Sequence, residues 1–276
     1  MKSKIAIVGC GWLGLPLAIS LLKKGNTIIG TTTSPQKLPQ LEEVGIVSKL
    51  WSFSQDINED SLSFLDDIDI LVLNIPPREK GSSFQYSQEI MKVCAALPQR
   101  TKVIFISTTS VYPDTLEIAK EEYQFAESDL LKETVMAEVK CRKILGERLT
   151  ILRLAGLIGE NRHPIKTLAG REDVQHGNSP INLIHQKDAI GLIEQIINKN
   201  FWGEVINGCY PIHPTKEKYY QNAANFFQLP TPKFLQNTEI KKIVSSDKSQ
   251  STLSYEFLYS VDDFNLLTLN KNSLSQ

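Results

Sequence analysis

Through the first two-thirds of the chain, short runs of apolar residues alternate with longer segments in which apolar positions recur every three or four residues. The first pattern is typical of β-strands and the second of amphipathic helices. Because most runs are rich in Ile, Val and Leu and contain few polar residues, they predict strands that are covered on both faces. The predicted strands are residues 5–8, 27–30, 46–51, 68–74, 102–107 and 149–154.

The segments between these strands predict helices, so the order is that of successive βαβ units in a parallel sheet. The predicted helices are residues 13–24, 35–44, 83–97 and 127–145. In the last of these, Leu130 and Thr134 lie at helical spacing on the same face as Ala137, Cys141, Ile144 and Leu145.

After Arg153 the alternation becomes irregular, and Gly, Pro, Asn and His are frequent over residues 156–180. A loop-rich region that follows an α/β core commonly holds substrate-binding residues. Beyond it, the pattern predicts a helix over 187–198, a strand over 205–207 and a helix over 216–228.

The chain is therefore predicted to be an α/β protein with a Rossmann-type doubly wound parallel sheet. Residues 1–160 are expected to form the Rossmann core. Residues 161–276 are expected to form a small C-terminal substrate subdomain, with 179–210 returning partly to the sheet. The length of the chain and its 41% content of hydrophobic residues suit one large core with a smaller partner.

A glycine-rich turn links the first predicted strand to the first predicted helix. Its sequence, Gly9-Cys10-Gly11-Trp12-Leu13-Gly14, has the G-x-G-x-x-G spacing in a strand-turn-helix context. In that context Gly9 makes the tight turn, Gly11 lets the backbone approach a pyrophosphate, and Gly14 lets helix and strand pack closely. The N-terminus of the helix offers N–H groups to phosphate oxygens. We therefore expect residues 9–14 to bind a dinucleotide and residues 1–160 to be an NAD(P)-binding core.

The second predicted strand ends in hydroxyl residues. NAD-binding folds commonly place an acid about 20 residues after the glycines, where it holds the ribose 2′-hydroxyl. Here the segment reads Thr31-Thr32-Thr33-Ser34, and the first acid is Glu42. With no carboxylate to repel it, a 2′-phosphate can be hydrogen-bonded by these residues and by Lys37. We expect the three threonines to contact the cofactor and favour NADP over NAD, although hydroxyls also suit a bare ribose.

Composition removes some classes of partner. The chain has 30 Lys and Arg and 31 Asp and Glu, for a net charge of −1. No overall field attracts nucleic acid or an anionic membrane, so a small-molecule partner is expected. The cysteines, Cys10, Cys94, Cys141 and Cys209, lack paired spacing and are typical of reduced core thiols, and no side-chain spacing indicates a metal. The sequence leaves the oligomeric state open, a homodimer included.

The uncharged run over 5–22, which follows two lysines, resembles the start of a secretory signal peptide. Three glycines and Pro16 interrupt this run, and no small-residue cleavage pattern precedes Lys23. The glycine-turn interpretation is therefore favoured. Since no other apolar stretch is long enough to span a bilayer, we expect a cytoplasmic protein.

Four further motifs follow in order along the chain. They are Phe105-Ile106-Ser107-Thr108-Thr109-Ser110-Val111-Tyr112, Ala137-Glu138, Arg153-Leu154-Ala155-Gly156-Leu157-Ile158-Gly159 and Asn182-Leu183-Ile184-His185-Gln186-Lys187-Asp188. Together with the glycine turn they resemble the extended short-chain dehydrogenase/reductases, the superfamily of sugar-nucleotide epimerases and dehydratases, over most of residues 1–210.

Two narrower resemblances are present. Arg153 to Gly156 followed by Asn161-Arg162-His163-Pro164, with the helix and turn over 214–232, resembles the YeeZ-like atypical branch of NAD(P)-binding proteins, whose activity is unsettled. Residues 9–18 also resemble the opening of UDP-sugar dehydrogenases, but no matching catalytic cysteine segment follows.

The superfamily resemblance implies a proton relay that this sequence lacks. Active members use a Tyr and a Lys one helical turn apart, together with a Ser or Thr at the end of the preceding strand, and the Lys lowers the pKa of the Tyr. The motifs place the hydroxyl at Thr108, but the Tyr and Lys positions fall on Leu130 and Thr134. Either the chain binds a dinucleotide without the standard reaction, or another residue donates the proton.

Tyr112, Tyr123 and His163 are the candidate donors, and each also suits an ordinary packing or loop role. Ligands of parallel sheets bind outside the carboxyl ends of the strands. The residues expected there are Asn74, Ile75 and Pro76 after the fourth strand, Ser107 and Thr108 at the end of the fifth, and Ala155 and Gly156, near the nicotinamide, after the sixth. For the proline pair at 76–77, a stiff loop without ligand contact is the alternative.

The leading interpretation is an atypical short-chain dehydrogenase/reductase. It would act as an oxidoreductase or epimerase/dehydratase on a small hydroxyl or carbonyl compound, with a nucleotide sugar included in that class. The alternative is a non-catalytic NAD(P)-binding redox sensor or partner-binding protein, which the lack of the Tyr–Lys pair favours.

Overall fold

The computed structural model describes residues 2–52, 59–77, 86–235, 241–267 and 269. Within these residues the strands are β1 (Lys4–Val8), β2 (Thr27–Thr32), β3 (Val47–Leu50), β4 (Ile70–Leu73), β5 (Lys102–Thr108), β6 (Ile118–Ala119), β7 (Leu149–Leu154), β8 (Gly156–Ile158), β9 (Leu183–His185), β10 (Val205–Gly208) and β11 (Ile243–Val244). The α-helices are α1 (Gly14–Lys23), α2 (Leu38–Glu43), α3 (Glu59–Leu62), α4 (Tyr86–Ala95), α5 (Glu133–Leu145), α6 (Ile165–Leu168), α7 (Gln186–Asn198), α8 (Lys216–Phe227) and α9 (Asp247–Ser251).

Seven strands form one sheet in the order β10-β7-β5-β4-β1-β2-β3. Strand β1 is parallel to both of its neighbours, with Ile5 opposite Ile28 of β2 and opposite Ile70 of β4. The chain moves from β1 outward to β3 and then returns to the other side of β1 at β4. This reversal is the switch point at which doubly wound sheets bind ligands. The predicted Rossmann-type parallel sheet is confirmed.

The chain forms two compact units. Unit 1 comprises Met1–Val111, Gln124–Arg153 and Ile193–Val205, and unit 2 comprises Tyr112–Tyr123, Leu154–Leu192 and Ile206–Gln276. In unit 1 the apolar runs of the central strands are buried and pack with residues from α4 and α5, among them Ile90, Val93, Ala137 and Cys141. The core of unit 2 is built from α8 and the segments around it, including Tyr219, Ala223, Phe234 and Phe264.

Most predicted elements are present with bounds within two residues of the prediction. The predicted helix over 35–44 divides into a 3-10 turn at Pro35–Lys37 followed by α2. Residues 83–85 of the predicted helix over 83–97 lie outside the described residues. The short strands β6, β8, β9 and β11 were not predicted. They are two or three residues long, too short for an apolar pattern to develop.

The predicted single helix over 127–145 was wrong at its start. Residues Glu127–Leu131 form a 3-10 turn, Lys132 is extended with φ −80° and ψ 123°, and α5 begins only at Glu133. Asp129 is buried, and its Oδ2 accepts a hydrogen bond from the N–H of Ala126 over 3.0 Å, which closes the turn on itself. Leu130 therefore does not share a helical face with Thr134.

None of the described helices has the length and apolar character needed to cross a bilayer.

Candidate functional site

The glycine-rich turn lies between the carboxyl end of β1 and the N-terminus of α1. The N-cap position of α1 is Leu13, whose side chain makes no capping hydrogen bond, and the first turn of the helix contains no acidic residue. Backbone N–H groups at this helix end therefore have neither a side-chain acceptor from the cap nor a neighbouring carboxylate. An anion is stabilised in such a position.

The three motif glycines are required for different reasons. A Cβ on Gly9 would lie 2.3 Å from the carbonyl oxygen of Asn74, and the φ of Gly9 is +106°, which other residues rarely adopt. A Cβ on Gly14 would lie 2.1 Å from the carbonyl oxygen of Gly9. A Cβ on Gly11, by contrast, would meet no described atom within 4 Å. Packing within the protein explains Gly9 and Gly14 and leaves the space beside Gly11 open.

The backbone of Gly9 is held from both strands that flank β1. Its N–H donates to Oγ1 of Thr31, in β2, over 3.0 Å. Its carbonyl oxygen accepts from Nδ2 of Asn74, which follows β4, over 2.9 Å. The next N–H, that of Cys10, donates to the carbonyl oxygen of Thr31 over 2.9 Å. Three hydrogen bonds thus fix the first peptide groups of the turn.

The two buried hydroxyls at the end of β2 accept hydrogen bonds from the backbone. Thr31 Oγ1 accepts from Gly9, as above, and Thr32 Oγ1 accepts from the N–H of Ser34 over 3.2 Å. Thr33 and Lys37 have exposed side chains. Among the residues expected to contact the cofactor ribose or a 2′-phosphate, Thr33 and Lys37 are thus exposed, and Ser34 is half-buried.

Sequence reasoning missed Gly30, which lies within β2. A Cβ at this position would lie 2.7 Å from Sγ of Cys10 and 2.7 Å from Cγ2 of Ile46. Burial raises the pKa of the Cys10 thiol to about 12, so Cys10 packs as a small neutral side chain against β2. A lone glycine inside a strand pattern indicates close approach of another group, and that signal was available in the sequence.

Asn74, Ile75 and Pro76 follow β4 at the same edge of the sheet as the turn. The carbonyl oxygen of Ile75 accepts a hydrogen bond from the hydroxyl of Tyr86 over 2.8 Å, which ties the segment to the start of α4. Pro76 is exposed. The structure thus brings Asn74 to the glycine turn, while contact of the three residues with a cofactor ribose stays a prediction.

A buried ion pair lies next to β5. Arg153 of β7 and Glu138 of α5 have side chains only 4% and 2% exposed, and Nη2 of Arg153 lies 2.7 Å from Oε2 of Glu138. The Nε of Arg153 donates to both carboxylate oxygens over 3.1 Å. The hydroxyl of Ser107 donates to the same carboxylate. The motifs had included all three residues, but the sequence did not reveal that they pair.

Thr108 lies at the end of β5, where its Oγ1 accepts from the N–H of Ser110 over 3.2 Å. The Nζ of Lys132 donates to the carbonyl oxygens of Ser110 and Val111 over 3.4 and 3.2 Å. The ammonium of Lys132 therefore lies near the end of β5 that carries Thr108. Leu130 and Thr134, at the Tyr and Lys positions of the relay, provide no cation. Cofactor contacts of Ser107 and Thr108, and a catalytic role for Thr108, stay predictions.

Tyr112 and Tyr123 lie together in unit 2. Tyr112 is buried and its hydroxyl donates to Oδ1 of Asn207 over 2.8 Å. The Tyr112 and Tyr123 rings pack edge to face, with their centroids 6.1 Å apart. The amide of Asn207 also donates to the carbonyl oxygen of Ser245 over 3.1 Å. This environment favours a packing role for Tyr112, and proton donation by either tyrosine stays a prediction.

His163 lies in the aromatic core of unit 2 with both ring nitrogens engaged. Its Nδ1 accepts from the N–H of Ile165 over 3.2 Å, so its Nε2 carries the hydrogen and donates to the hydroxyl of Tyr219 over 2.8 Å. That hydroxyl donates in turn to the carbonyl oxygen of Val261 over 2.9 Å. Burial lowers the pKa of the imidazole to about 4. A neutral structural histidine is favoured, and proton donation by His163 stays a prediction.

We expect the burial of His163 to make stability depend on pH. The imidazole has a pKa of about 4 when folded and an ordinary value of 6.5. Between these values the unfolded state binds more protons, so stability falls as the pH falls. From pH 7 to pH 5 this loss is about 2 kcal/mol. Urea unfolding at both pH values should show a loss smaller by that amount in His163→Phe.

The control for this prediction is Tyr220→Phe. Tyr220 packs edge-on against His163, with ring centroids 6.1 Å apart, but its substitution leaves the imidazole in place. This variant should keep the pH dependence of the wild type. A His163→Phe protein that loses as much stability on acidification as the wild type would contradict the prediction.

Ala155 and Gly156 lie in unit 2 after β7 and at the start of β8. The N–H of Ala155 donates to the carbonyl oxygen of Gly208 over 2.9 Å. The N–H of Gly156 donates to the backbone carbonyl oxygen of Asn182 over 3.0 Å. A Cβ on Gly156 would lie 2.8 Å from Cδ2 of Leu183, so packing against β9 explains this glycine. Their approach to a nicotinamide stays a prediction. Over the described ranges, no three His, Cys, Asp or Glu residues gather as metal ligands.

No family model matches the chain. Protein YeeZ of Escherichia coli K12 is 34% identical to it over 268 residues, which span 93% of this chain and 96% of that protein. The structure of UDP-glucuronic acid 4-epimerase from Bacillus cereus, in complex with NAD, has a TM-score of 0.75 at 20% identity and covers 94% of this chain and 95% of its own.

A short-chain dehydrogenase/reductase superfamily protein from Agrobacterium tumefaciens, solved with bound NAD, has a TM-score of 0.74 at 13% identity, with 94% of each chain covered. These two structures share the fold of this chain. The similarity to Protein YeeZ extends over nearly the whole length of both chains. The resemblance drawn from the sequence motifs is confirmed: the chain belongs to the YeeZ family and has the fold of the short-chain dehydrogenase/reductases.

Proposed function

We propose that unit 1 binds a nicotinamide dinucleotide over residues 9–14. The observation that carries this proposal is the open space beside Gly11. Of the three motif glycines, two are explained by contacts inside the protein, and Gly11 is not. The motif assigns to this position the approach of backbone to a pyrophosphate. No contact among the described residues requires glycine at position 11, whereas the approach of a pyrophosphate to the backbone would. This difference supports a ligand beside Gly11.

The helix end beside Gly11 fits the charge of a pyrophosphate. The first turn of α1 contains no acidic residue, and the N-cap side chain of Leu13 provides no acceptor. The epimerase and the superfamily protein described above were both solved with NAD. These relatives support a nicotinamide cofactor by analogy of fold.

We further propose that NADP is preferred to NAD. The side chains of Thr33 and Lys37 are exposed after β2, where a hydroxyl and an ammonium can bind a 2′-phosphate. The first acid after the strand, Glu42, accepts a hydrogen bond from the hydroxyl of Ser48 over 2.6 Å. This hydrogen bond draws the carboxylate toward β3, and we assign no ribose contact to it.

Isothermal titration with NADPH and NADH tests both proposals. We expect NADPH to bind roughly tenfold more tightly, because a charge-assisted hydrogen bond contributes about 1.5–3 kcal/mol and part of this is lost to solvent screening. Lys37→Ala should weaken NADPH binding roughly tenfold and leave NADH unchanged. The matched control is Lys23→Ala, which removes an exposed lysine at the far end of α1.

Two outcomes of the titration would count against these proposals. If neither nucleotide binds, the proposed cofactor site is wrong. If both nucleotides bind equally in the wild type and in Lys37→Ala, the site stands and the NADP preference is wrong.

The proposed reaction is a dehydrogenase, epimerase or dehydratase step on a small hydroxyl or carbonyl compound, with nucleotide sugars included because one relative acts on a UDP sugar. A bound nicotinamide supplies the hydride-transfer chemistry. Residues of the chain must orient the substrate oxygen and transfer its proton. We assign the orientation of the substrate oxygen to the hydroxyl of Thr108. The ammonium of Lys132 provides positive charge at the same strand end.

A second candidate is a binding protein without turnover. Leu130 and Thr134 do not transfer protons, and Leu130 precedes the break at Lys132, so neither residue type nor backbone suits the superfamily relay. Hydride-transfer assays across a panel of carbonyl compounds and nucleotide sugars separate the two candidates. Turnover that is lost in Thr108→Ala, with NADPH binding retained, supports the enzyme; binding with no turnover across the panel supports the second candidate.

A further inference from the structure

We propose that Thr31 is a positioning residue, which holds the glycine turn in the form that receives the dinucleotide and does not itself contact the ligand. This inference rests on the proposed binding of a dinucleotide. It changes the role expected from the sequence, in which the hydroxyl of Thr31 contacts the cofactor.

The burial of Thr31 argues for the new role. The residue is 2% exposed, so its side chain offers almost no surface to a ligand. Its Oγ1 accepts from the N–H of Gly9 over 3.0 Å, and its carbonyl oxygen accepts from the N–H of Cys10 over 2.9 Å. Both oxygen atoms of one residue therefore bind successive N–H groups of the turn.

The conformation of Gly9 explains why such a restraint matters. A glycine populates many backbone conformations, and it loses more conformational freedom on ordering than any other residue. The turn requires a single one of these backbone conformations at Gly9, with φ at +106°. If the competent conformation is only partly populated, the apparent affinity falls by that fraction. The hydrogen bonds of Thr31 raise this fraction before the ligand arrives.

Asn74 provides the second restraint on the same peptide, and it depends on Gly14. A Cβ on Gly14 would lie 3.0 Å from Nδ2 of Asn74 and 2.1 Å from the carbonyl oxygen of Gly9. The amide of Asn74 can therefore reach that carbonyl, over 2.9 Å, only because Gly14 has no side chain. Gly9 is thus held at its N–H by β2 and at its carbonyl by the residue after β4.

The test is isothermal titration of NADPH against four proteins. Thr31→Val keeps the shape of the side chain and removes its acceptor, and we expect Kd to rise roughly tenfold. Thr31→Ser restores the hydroxyl and should bind within about threefold of the wild type. Thr101→Val is the matched control: Thr101 is fully buried and its hydroxyl donates to the carbonyl of Ile68 over 3.1 Å, at the end of the sheet where β5 begins.

Hydrogen exchange gives a second readout. In Thr31→Val, exchange of the Gly9 N–H should accelerate, while the N–H groups in the interior of α1 should exchange at the wild-type rate. If Thr31→Val does not fold, Thr31→Ala is measured in its place, because it also removes the acceptor of the Gly9 N–H. A roughly tenfold weaker Kd is expected there too.

The outcomes separate the inference from the proposed function. A wild type that binds no dinucleotide overturns both. A wild type that binds NADPH, with a folded Thr31→Val that binds equally well, overturns only the positioning role. Equal weakening in Thr31→Val and Thr101→Val also overturns it, because general destabilisation would then account for the loss. Weakening in Thr31→Val alone, rescued by Thr31→Ser, supports it.

Discussion

Gly11→Asp should weaken the binding of NADPH at least roughly a hundredfold and leave the protein folded. Two unit charges about 4 Å apart repel by about 4 kcal/mol at the effective dielectric constant of a protein surface, and the carboxylate would lie beside the pyrophosphate. The fold should tolerate the change, because a Cβ at Gly11 meets no described atom within 4 Å. Titration with NADPH measures the affinity, and thermal unfolding measures the fold.

The control for this result is Gly14→Ala. Space beside Gly11 is open, whereas Gly14 is tightly packed. Its Cβ would lie 2.1 Å from the carbonyl oxygen of Gly9, so the helix or the turn must shift. Gly14→Ala should lower the unfolding temperature, whereas Gly11→Asp should not. If Gly11→Asp keeps wild-type affinity for NADPH, the pyrophosphate does not lie beside Gly11 and the placement of the site is refuted.

Glu138→Ala should destabilise the protein by about 3–5 kcal/mol. The substitution leaves the guanidinium of Arg153, which is 4% exposed, buried without its counter-charge, and it also removes the acceptor of the Ser107 hydroxyl. Urea unfolding followed by circular dichroism measures the change. The double variant Glu138→Leu with Arg153→Met should recover most of the loss, since it removes both buried charges together.

An exposed ion pair in the same unit serves as the comparison. Nη2 of Arg100 lies 2.8 Å from Oδ1 of Asp67, close to the 2.7 Å between the charged atoms of the buried pair. The side chains of Arg100 and Asp67 are, however, 57% and 81% exposed. Asp67→Ala should change stability by less than about 1 kcal/mol. If Glu138→Ala and Asp67→Ala cost the same, burial does not govern the strength of the Arg153 pair.

The sequence was most informative where structure depends on local order. Val8 ends an apolar run, the glycines follow at fixed spacing, and the helix pattern starts at once, so strand, turn and helix were predicted together. The inner strands β1, β4, β5 and β7 were predicted because burial on both faces leaves a nearly continuous apolar run, whereas the edge strand β3 is mostly exposed. The motif order along the chain also indicated the YeeZ family, which the 34% identical relative shows, and the fold, which the structural neighbours share.

The sequence was least informative where side chains meet from distant segments. The hydrogen bond from the N–H of Gly9 to the hydroxyl of Thr31, 22 positions later in the chain, was not predicted, and contact of Thr31 with a ligand stays a prediction. The pairing of Arg153 with Glu138 depends on how α5 packs on the sheet. Periodicity and spacing describe one segment at a time and do not contain these contacts.

The break at Lys132 limits what two substitutions could introduce into this chain. Replacing Leu130 with Tyr and Thr134 with Lys would place the phenol on the 3-10 turn and the amine on α5, on either side of an extended residue. The two groups would not stand one helical turn apart. Engineering a Tyr–Lys relay into this chain would therefore also require the 3-10 turn and Lys132 to be rebuilt as part of α5.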